Sequence, residues 1–276
     1  MESLVLKSHS QRRGGEVSAV STALKCVVSL AALTSSAAFA EAASSQWGLG
    51  LGAVASDNPY AGRGTRYTPF PLITYDSKRL FFQGITAGVH LLDTSGLQID
   101  LIVAPNFDGI DAEDFGAAEL ARNGVDRDLL EDREDSADAG FDVSFTGRYG
   151  ELKFQALADV LDASGGYEAS VSYGYPVQLG KNMVLTPGIG AKWLSEDRAD
   201  YYYGILDEEV ARGVRNYRPG SVVIPEVGVD LQYSFADRWV LMSGLEYRAL
   251  PSKVEDSPLL DSGQSFRLFI GVLRAF

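Results

Sequence analysis

Cysteine occurs once in 276 residues, at Cys26, and histidine only twice, at His9 and His90. The first scarcity rules out a disulfide framework, a thiolate nucleophile beyond Cys26 and a cysteine metal site. The second means that any Ser-His-Asp arrangement downstream of the N-terminal region must run through His90. No HExxH, no phosphate-cradling glycine loop and no G-x-S-x-G elbow is present. No run of about 18 apolar residues exists, which excludes a membrane-spanning helix. Basic residues are also short, 24 against 37 acidic. So acidic a chain repels nucleic acid. No cofactor motif is found, and none is expected.

What is present begins with an export signal. The apolar stretch Cys26 to Ala40 follows Lys25 and ends Ala38-Phe39-Ala40 before Glu41, the layout of a secretory signal with an A-x-A cleavage site. An n-region of two dozen residues with Arg12 and Arg13 is long and fits a start codon further downstream. Cys26 follows a lysine, which argues against lipoprotein cleavage. Residues 1–40 therefore read as signal peptide and 41–276 as a single domain. Removing the signal leaves 20 basic (24 less 4) and 35 acidic (37 less 2) residues, a charge near −15.

That domain is patterned with period two. In GYEASVSYGYPVQLGKNMVLTPGIGAKW, Tyr167, Ala169, Val171, Tyr173, Tyr175, Val177 and Leu179 alternate with Glu168, Ser170, Ser172, Gly174, Pro176 and Gln178. After Gly180-Lys181-Asn182, Met183, Leu185, Ile189, Ala191 and Trp193 continue the apolar face. This is hairpin patterning, and each arm is about a dozen residues, twice the usual strand length of about 5 to 6. A tilted strand needs about 9 to 11 residues to cross a bilayer, with aromatics at both interfaces. Similar runs predict twelve strands: Trp47–Ala55, Tyr67–Tyr75, Arg79–Ile85, Gly88–Leu92, Leu97–Asn106, Phe141–Tyr149, Leu152–Val160, the two above, Val223–Phe235, Trp239–Arg248 and Gln264–Phe276. Pro69 and Pro71 are awkward in a central strand.

The count is even, and short connections after strands two, four, six, eight and ten alternate with mostly long ones, as in outer-membrane barrels. The wet face carries Asp100, Asp142, Arg148, Lys153, Glu168, Glu226, Asp230, Glu246, Arg248 and Arg267, too many charges for a soluble core. The expected fold is an all-β antiparallel transmembrane barrel of about 12 strands, located in the outer membrane. Asp142, Arg148, Lys153, Glu226, Asp230, Glu246 and Arg248 are its expected lumen lining, either mutually paired or facing a channel. Its immediate partners are outer-membrane lipid and lipopolysaccharide.

Two long connections stand out. Asp108 to Asp138 carries 12 acidic residues against Arg122, Arg127 and Arg133, shows no strand pattern, and reads as a solvated acidic loop. Asp108, Asp111, Glu113 and Asp114 lack EF-hand spacing, so no metal is assigned there, although acidic loops can recruit divalent ions that bridge to lipopolysaccharide. Ser195 to Gly220 holds Tyr201, Tyr202 and Tyr203 with Arg212, Arg215 and Arg218. Tyr and Arg are enriched at binding hot spots, and the alternative is a set of aromatics and charges that ties the loop down.

With these features placed, Trp47 to Phe276 resembles the MipA/OmpV family of outer-membrane proteins. The resemblance is carried by Asp57 to Gly64, Leu72 to Tyr75 before KRLFF, Tyr201 to Gly204 followed by Asp207-Glu208-Glu209, Pro219-Gly220, and Asp256 to Leu260. One departure is Arg274, third from the end, where barrel-assembly signals carry an apolar residue. The resemblance implies an interaction scaffold that holds a murein transglycosylase and a peptidoglycan synthase near the outer membrane, or a role in adhesion. The composition leaves open a narrow channel for small solutes and, as a remoter alternative, a lipid-modifying enzyme built on His90.

Overall fold

The computed structural model describes residues 46–276; the signal peptide expected over residues 1–40 lies outside them. The strands are β1 Trp47–Ser56, β2 Arg66–Asp76, β3 Leu80–Gln83, β4 Thr86–Asp93, β5 Leu97–Asn106, β6 Ser136–Gly147, β7 Gly150–Asp159, β8 Tyr167–Gly174, β9 Val177–Gln178, β10 Met183–Leu194, β11 Val222–Phe235, β12 Trp239–Ala249 and β13 Gln264–Ala275. Segments β8 and β9 are two pieces of one strand, both paired with β10. Pro176, lying between them, has no N–H to give the ladder, so the strand read as continuous is interrupted there. All neighbours are antiparallel, and β1–β13 and β10–β11 pairing closes the sheet into a barrel of twelve strands.

The expected alternation holds, with lipid-facing side chains apolar and inward ones mostly polar, apart from an inward apolar cluster of Val54, Phe70, Leu72, Phe269 and Leu273 on β1, β2 and β13. Leu51 is 74% exposed and Ile189 63%, while Glu226 and Glu246 are 4% and 3% exposed. This inverts a soluble protein, as a hydrocarbon surround requires. Aromatics mark both ends of the wall. Trp47 lies against Tyr75 with ring centroids 4.6 Å apart, and Phe235 stacks near Trp239 beside the short turns. Tyr247 and Phe266, 4.9 Å apart, belong to the opposite rim. Connections 77–79, 94–96, 148–149, 179–182 and 236–238 join strands at one end, together with Trp47 and Phe276. Short turns identify the periplasmic end of such barrels.

At the outer end, the connections are 57–65, 84–85, 107–135, 160–166, 195–221 and 250–263. One departs from the expected pattern: β3 and β4 meet through Gly84-Ile85 only, with Gly84 at φ +65°. This hairpin rises only to the level of Ile73, whose carbonyl accepts from the Gly84 N–H at 2.9 Å. The wall has twelve strands near the periplasm and ten at its outer end, leaving β2 from Tyr67 to Leu72 and β5 from Ala104 to Asn106 with no neighbouring strand paired on their facing sides. The second correction concerns Asp108 to Asp138: β6 begins at Ser136, so Asp138 is a wall residue.

Closure needs glycine at one position of the seam. A Cβ on Gly50 would lie 2.0 Å from the carbonyl oxygen of Val272 on β13, inside any allowed contact. Gly50→Ala is expected to push β1 and β13 apart and cost about 1–3 kcal/mol as overpacking. The check is the folded fraction after refolding, read from heat-dependent migration in gels; migration like that of the parent would refute this account of the seam.

Candidate functional site

The outer mouth is closed by its own connections. The acidic stretch does not behave as a solvated loop. It folds as 3₁₀ turns at Ala112–Asp114 and Arg127–Leu129 around a short helix, Ala117–Arg122, that ends at Asn123 and at Gly124 with φ +79°. A left-handed glycine after the last turn is a common helix stop. Its acids mostly face outward, while Ile110, Phe115, Leu120, Val125 and Leu130 are at most 7% exposed. They pack with Tyr60 and Ala61 of the first connection, Ala199, Ile205 and Val214 of the 195–221 connection, and Val254, Leu259 and Leu260 of the last. The result is a second apolar core, resting on top of a polar lumen.

Ionic and polar contacts lock this lid internally. Arg133 Nη1 and Nη2 donate to Glu209 Oε1 and Oε2 at 2.8 and 2.9 Å, Nε to the Tyr201 carbonyl at 2.7 Å, and Nη2 to the Gly204 carbonyl at 3.1 Å. Glu209 also accepts from the N–H groups of Leu206 and Glu131 at 2.7 and 2.8 Å. Both side chains are essentially solvent-free, and such a pair is tolerable only when its hydrogen bonds are this complete. Asn123 Nδ2 donates to the carbonyls of Pro258 and Leu260 at 3.1 and 3.2 Å, tying in the last connection. Arg63 pairs with Asp114 at 2.7 Å and ties in the first.

One side chain anchors the lid to the wall. Ser195 caps helix Glu196–Tyr203, and Arg198 on its first turn reaches into the lumen. Its guanidinium donates bidentately to Asp138 at 2.9 and 2.7 Å and lies 3.5 Å from Glu168. Although burial opposes its charge, these carboxylates hold the Arg198 pKa above its ordinary value.

The predicted interaction residues lie on this helix and just after it. Tyr202 is 2% exposed, and burial raises the phenol pKa of Tyr201, Tyr202 and Tyr203, keeping all three neutral. Tyr201 Oη accepts from the Glu134 N–H at 2.8 Å, and Tyr203 lies 6.1 Å from the Tyr60 ring. Arg212 reaches Glu131 at 2.5 Å and Arg218 reaches Asp207 at 2.5 Å. Arg215 is exposed. The tyrosines thus help bind the lid together, and the three arginines sit at its surface.

In the lumen, Lys153 meets Asp142 at 2.8 Å, Lys192 meets Glu168 at 2.7 Å, and Arg248 lies 2.6 Å from Glu246 and 3.6 Å from Glu226. The Arg248 contacts are ion pairs without hydrogen-bond alignment, leaving its Nη2 buried and without a hydrogen-bond partner. Asp230 is partly buried on β11. Arg148 is not in the lumen: it lies exposed in the turn after β6, against the Tyr149 hydroxyl. His90 Nδ1 is 2.8 Å from Asp100, its ring stacks on Phe81 at 4.8 Å, and its other partners are Asp76 and Gln98. No serine hydroxyl is among these contacts, so the nucleophile–base pair of a hydrolase is not assembled at His90.

Between lid and lumen is a cavity of about 110 Å³. Arg63, Arg66, Lys192, Arg248 and Arg267 line it, against Asp57, Asp108 and Glu168. Nothing in the sequence pattern announces it, because its walls come from seven strands and four connections. The lid did leave a trace: Ile110, Phe115, Leu120, Val125 and Leu130 recur every five residues, a spacing that fits neither helix nor strand and is legible only as turns around a common core.

Lipid-facing apolar walls, aromatic rims, a charged interior and short turns at the end holding Trp47 and Phe276 define an outer-membrane β-barrel, here with a closed outer mouth. Residues 49–276 match the model of the family described as MltA-interacting protein MipA, and the chain belongs to that family. It is 30% identical to the putative outer membrane protein YiaT of Escherichia coli K12, with 84% of this chain and 92% of that one aligned. It is 29% identical to the MltA-interacting protein of the same strain over 91% and 98% of the two chains. The outer membrane protein OmpV of Vibrio cholerae is 27% identical over 50% and 53%. Among solved structures, the translocator domain of the autotransporter NalP from Neisseria meningitidis aligns at 10% identity with TM-score 0.47, covering 84% of this chain and 89% of that one.

Proposed function

We propose that this outer-membrane protein is an interaction platform, shut to solutes, that presents its periplasmic turns to a cell-wall enzyme. The observation that carries this reading is the lid. Its apolar core and its solvent-free Arg133–Glu209 pair make the outer mouth a folded structure, and the charged lumen residues beneath it are mostly engaged with one another. A murein transglycosylase is the first partner to test, because a relative aligned over nearly the whole chain is named for interacting with MltA. A peptidoglycan synthase would dock through the same face. Since Arg212, Arg215 and Arg218 lie at the surface of the outer end, they would serve adhesion or contact with lipopolysaccharide, with Tyr201 to Tyr203 holding the lid beneath them, whereas a periplasmic enzyme would meet Gly180 to Asn182 and Ala236 to Arg238.

Two measurements decide it. Refolded protein in planar bilayers is expected to show no steady conductance. A photo-crosslinker in place of Lys181 or Asp237 is expected to capture a murein hydrolase from whole envelopes, and one in place of exposed Arg215 is not. Steady openings in the intact protein would favour the narrow-channel reading, for which the cavity beneath the lid would be the constriction. Capture from neither turn would sink the platform.

A further inference from the structure

The gap in the outer half of the wall is bordered by prolines whose positions have a common geometry. In a strand the N–H and C=O of one residue point to the same side, and the next residue points them to the other. Ile73 directs its carbonyl toward β3, so Pro71 and Pro69, two and four residues away, face the gap with their nitrogens. On the opposite rim, the Ala137 carbonyl accepts from Val160 on the β7 side at 2.8 Å. Its partner Pro105 on β5 therefore turns its nitrogen away from β6 and toward the gap. Three of the chain's ten prolines thus sit where an N–H would otherwise point into an unpartnered opening. No backbone hydrogen bond joins β2 to β5 across it among the described residues.

An unpaired N–H in hydrocarbon costs several kcal/mol, and a row of them would recruit another strand. Proline lessens both consequences by removing the donor at each of these positions. A rim built this way costs less when open to lipid and is a poorer template for a second copy of the chain, although its carbonyls remain. The exposed outward side chains Tyr67, Pro69, Pro71 and Val103 make the rims apolar. Ile85, at the hairpin tip that forms the floor, packs against an inward apolar cluster containing Phe70, Leu72 and Phe269.

At its outer end the gap meets the cavity. Arg66 begins β2 and Phe107 follows the last residue of β5, so the two rims end on residues that both line it. The cavity wall carries five cationic side chains against three carboxylates, in a chain whose acids outnumber its bases 37 to 24. Arg248 brings to it a buried Nη2 with no hydrogen-bond partner. The lid covers the cavity from outside, with Tyr60, one of its lining residues, packed edge-on to Phe115 at 5.4 Å.

We propose that the gap between β2 and β5 is a lateral portal and that its ligand is a single-chain acyl anion, a fatty carboxylate whose head seats among the cavity arginines while its tail lies along the proline rims. The head needs cationic donors and the tail needs a surface without unsatisfied donors; the cavity and the rims supply one each. This is independent of the platform reading, which concerns the periplasmic turns.

The test uses the refolded barrel in nanodiscs of a zwitterionic lipid, titrated with carboxyl-¹³C myristate, whose carbonyl resonance moves on pairing with a guanidinium. Saturable binding is expected, and Arg66→Gln is expected to weaken it about tenfold, the loss of one charge-assisted hydrogen bond. Pro69→Cys carrying a bulky thiol adduct is expected to block binding while heat-dependent migration stays unchanged. Methyl myristate, without the charge, and acetate, without the tail, are expected not to saturate. Equal binding of methyl myristate would remove the head site. Acetate binding as tightly as myristate and ignoring the adduct would make the cavity a site reached from water and overturn the portal. No saturable binding of myristate would overturn the proposal outright. Conductance and crosslinking are read separately, so either reading can fail alone.

Discussion

Arg133→Met is expected to release the outer lid and leave the barrel standing. The substitution strands Glu209, which is fully buried, with only two backbone N–H donors in place of a bidentate guanidinium, and it frees the carbonyls of Tyr201 and Gly204. Breaking one side of a buried pair costs about 3–5 kcal/mol. The wall does not depend on Arg133: its strands pair with one another around the whole circumference apart from the gap. Limited proteolysis should therefore produce new cuts within 107–135 and 195–221, while heat-dependent migration of the remaining fragment is unchanged. The double variant Arg133→Met with Glu209→Leu separates causes, because removing both charges can be nearly neutral where removing one is not. Renewed protease resistance in the double variant would attribute the effect to the stranded charge. A single variant as resistant as the parent would show that the apolar core alone holds the lid.

The second large effect concerns permeability. Replacing residues 111–132 with a short Gly-Ser turn removes Phe115, Leu120, Val125 and Leu130 from the lid core but keeps the Ile110–Arg133 bridge and the start of β6 at Ser136. A longer excision to Asp138 would also remove the carboxylate that holds Arg198. The shortened protein is expected to show steady openings in planar bilayers where the intact protein is silent, since the connections 195–221 and 250–263 lose the apolar face they pack against. Silence in both would mean that the lumen ion pairs, Lys192 with Glu168 and Lys153 with Asp142, plug the barrel by themselves.

Much of the wall is legible in the sequence. The alternation in Val223 to Phe235 is the alternation of lipid-facing and inward side chains on β11, and Gly180-Lys181-Asn182 marked a periplasmic turn, with Gly180 at φ +81°. Such features are local: a strand's period and a turn's backbone are set by a few consecutive residues. Where the local pattern misleads, the cause is local too. Pro176 fits the period-two run although it interrupts the strand, and Arg148 fits the inward parity although the chain has by then left the wall for a turn. Pro69 and Pro71 are awkward for a central strand by sequence alone, but their meaning depends on β5 and on Pro105, more than thirty residues away.

By itself, the sequence determined that this chain crosses a membrane with strands, how many, which face of each meets lipid, and which end carries the short turns, because in hydrocarbon every backbone group must pair and every outward side chain must be apolar. Only the tertiary structure decided that the acidic connection is a lid, that Arg133 finds Glu209, and that a gap in the wall leads to a cationic cavity. Those contacts join residues up to about two hundred positions apart, and no periodicity records which distant side chains will share a space.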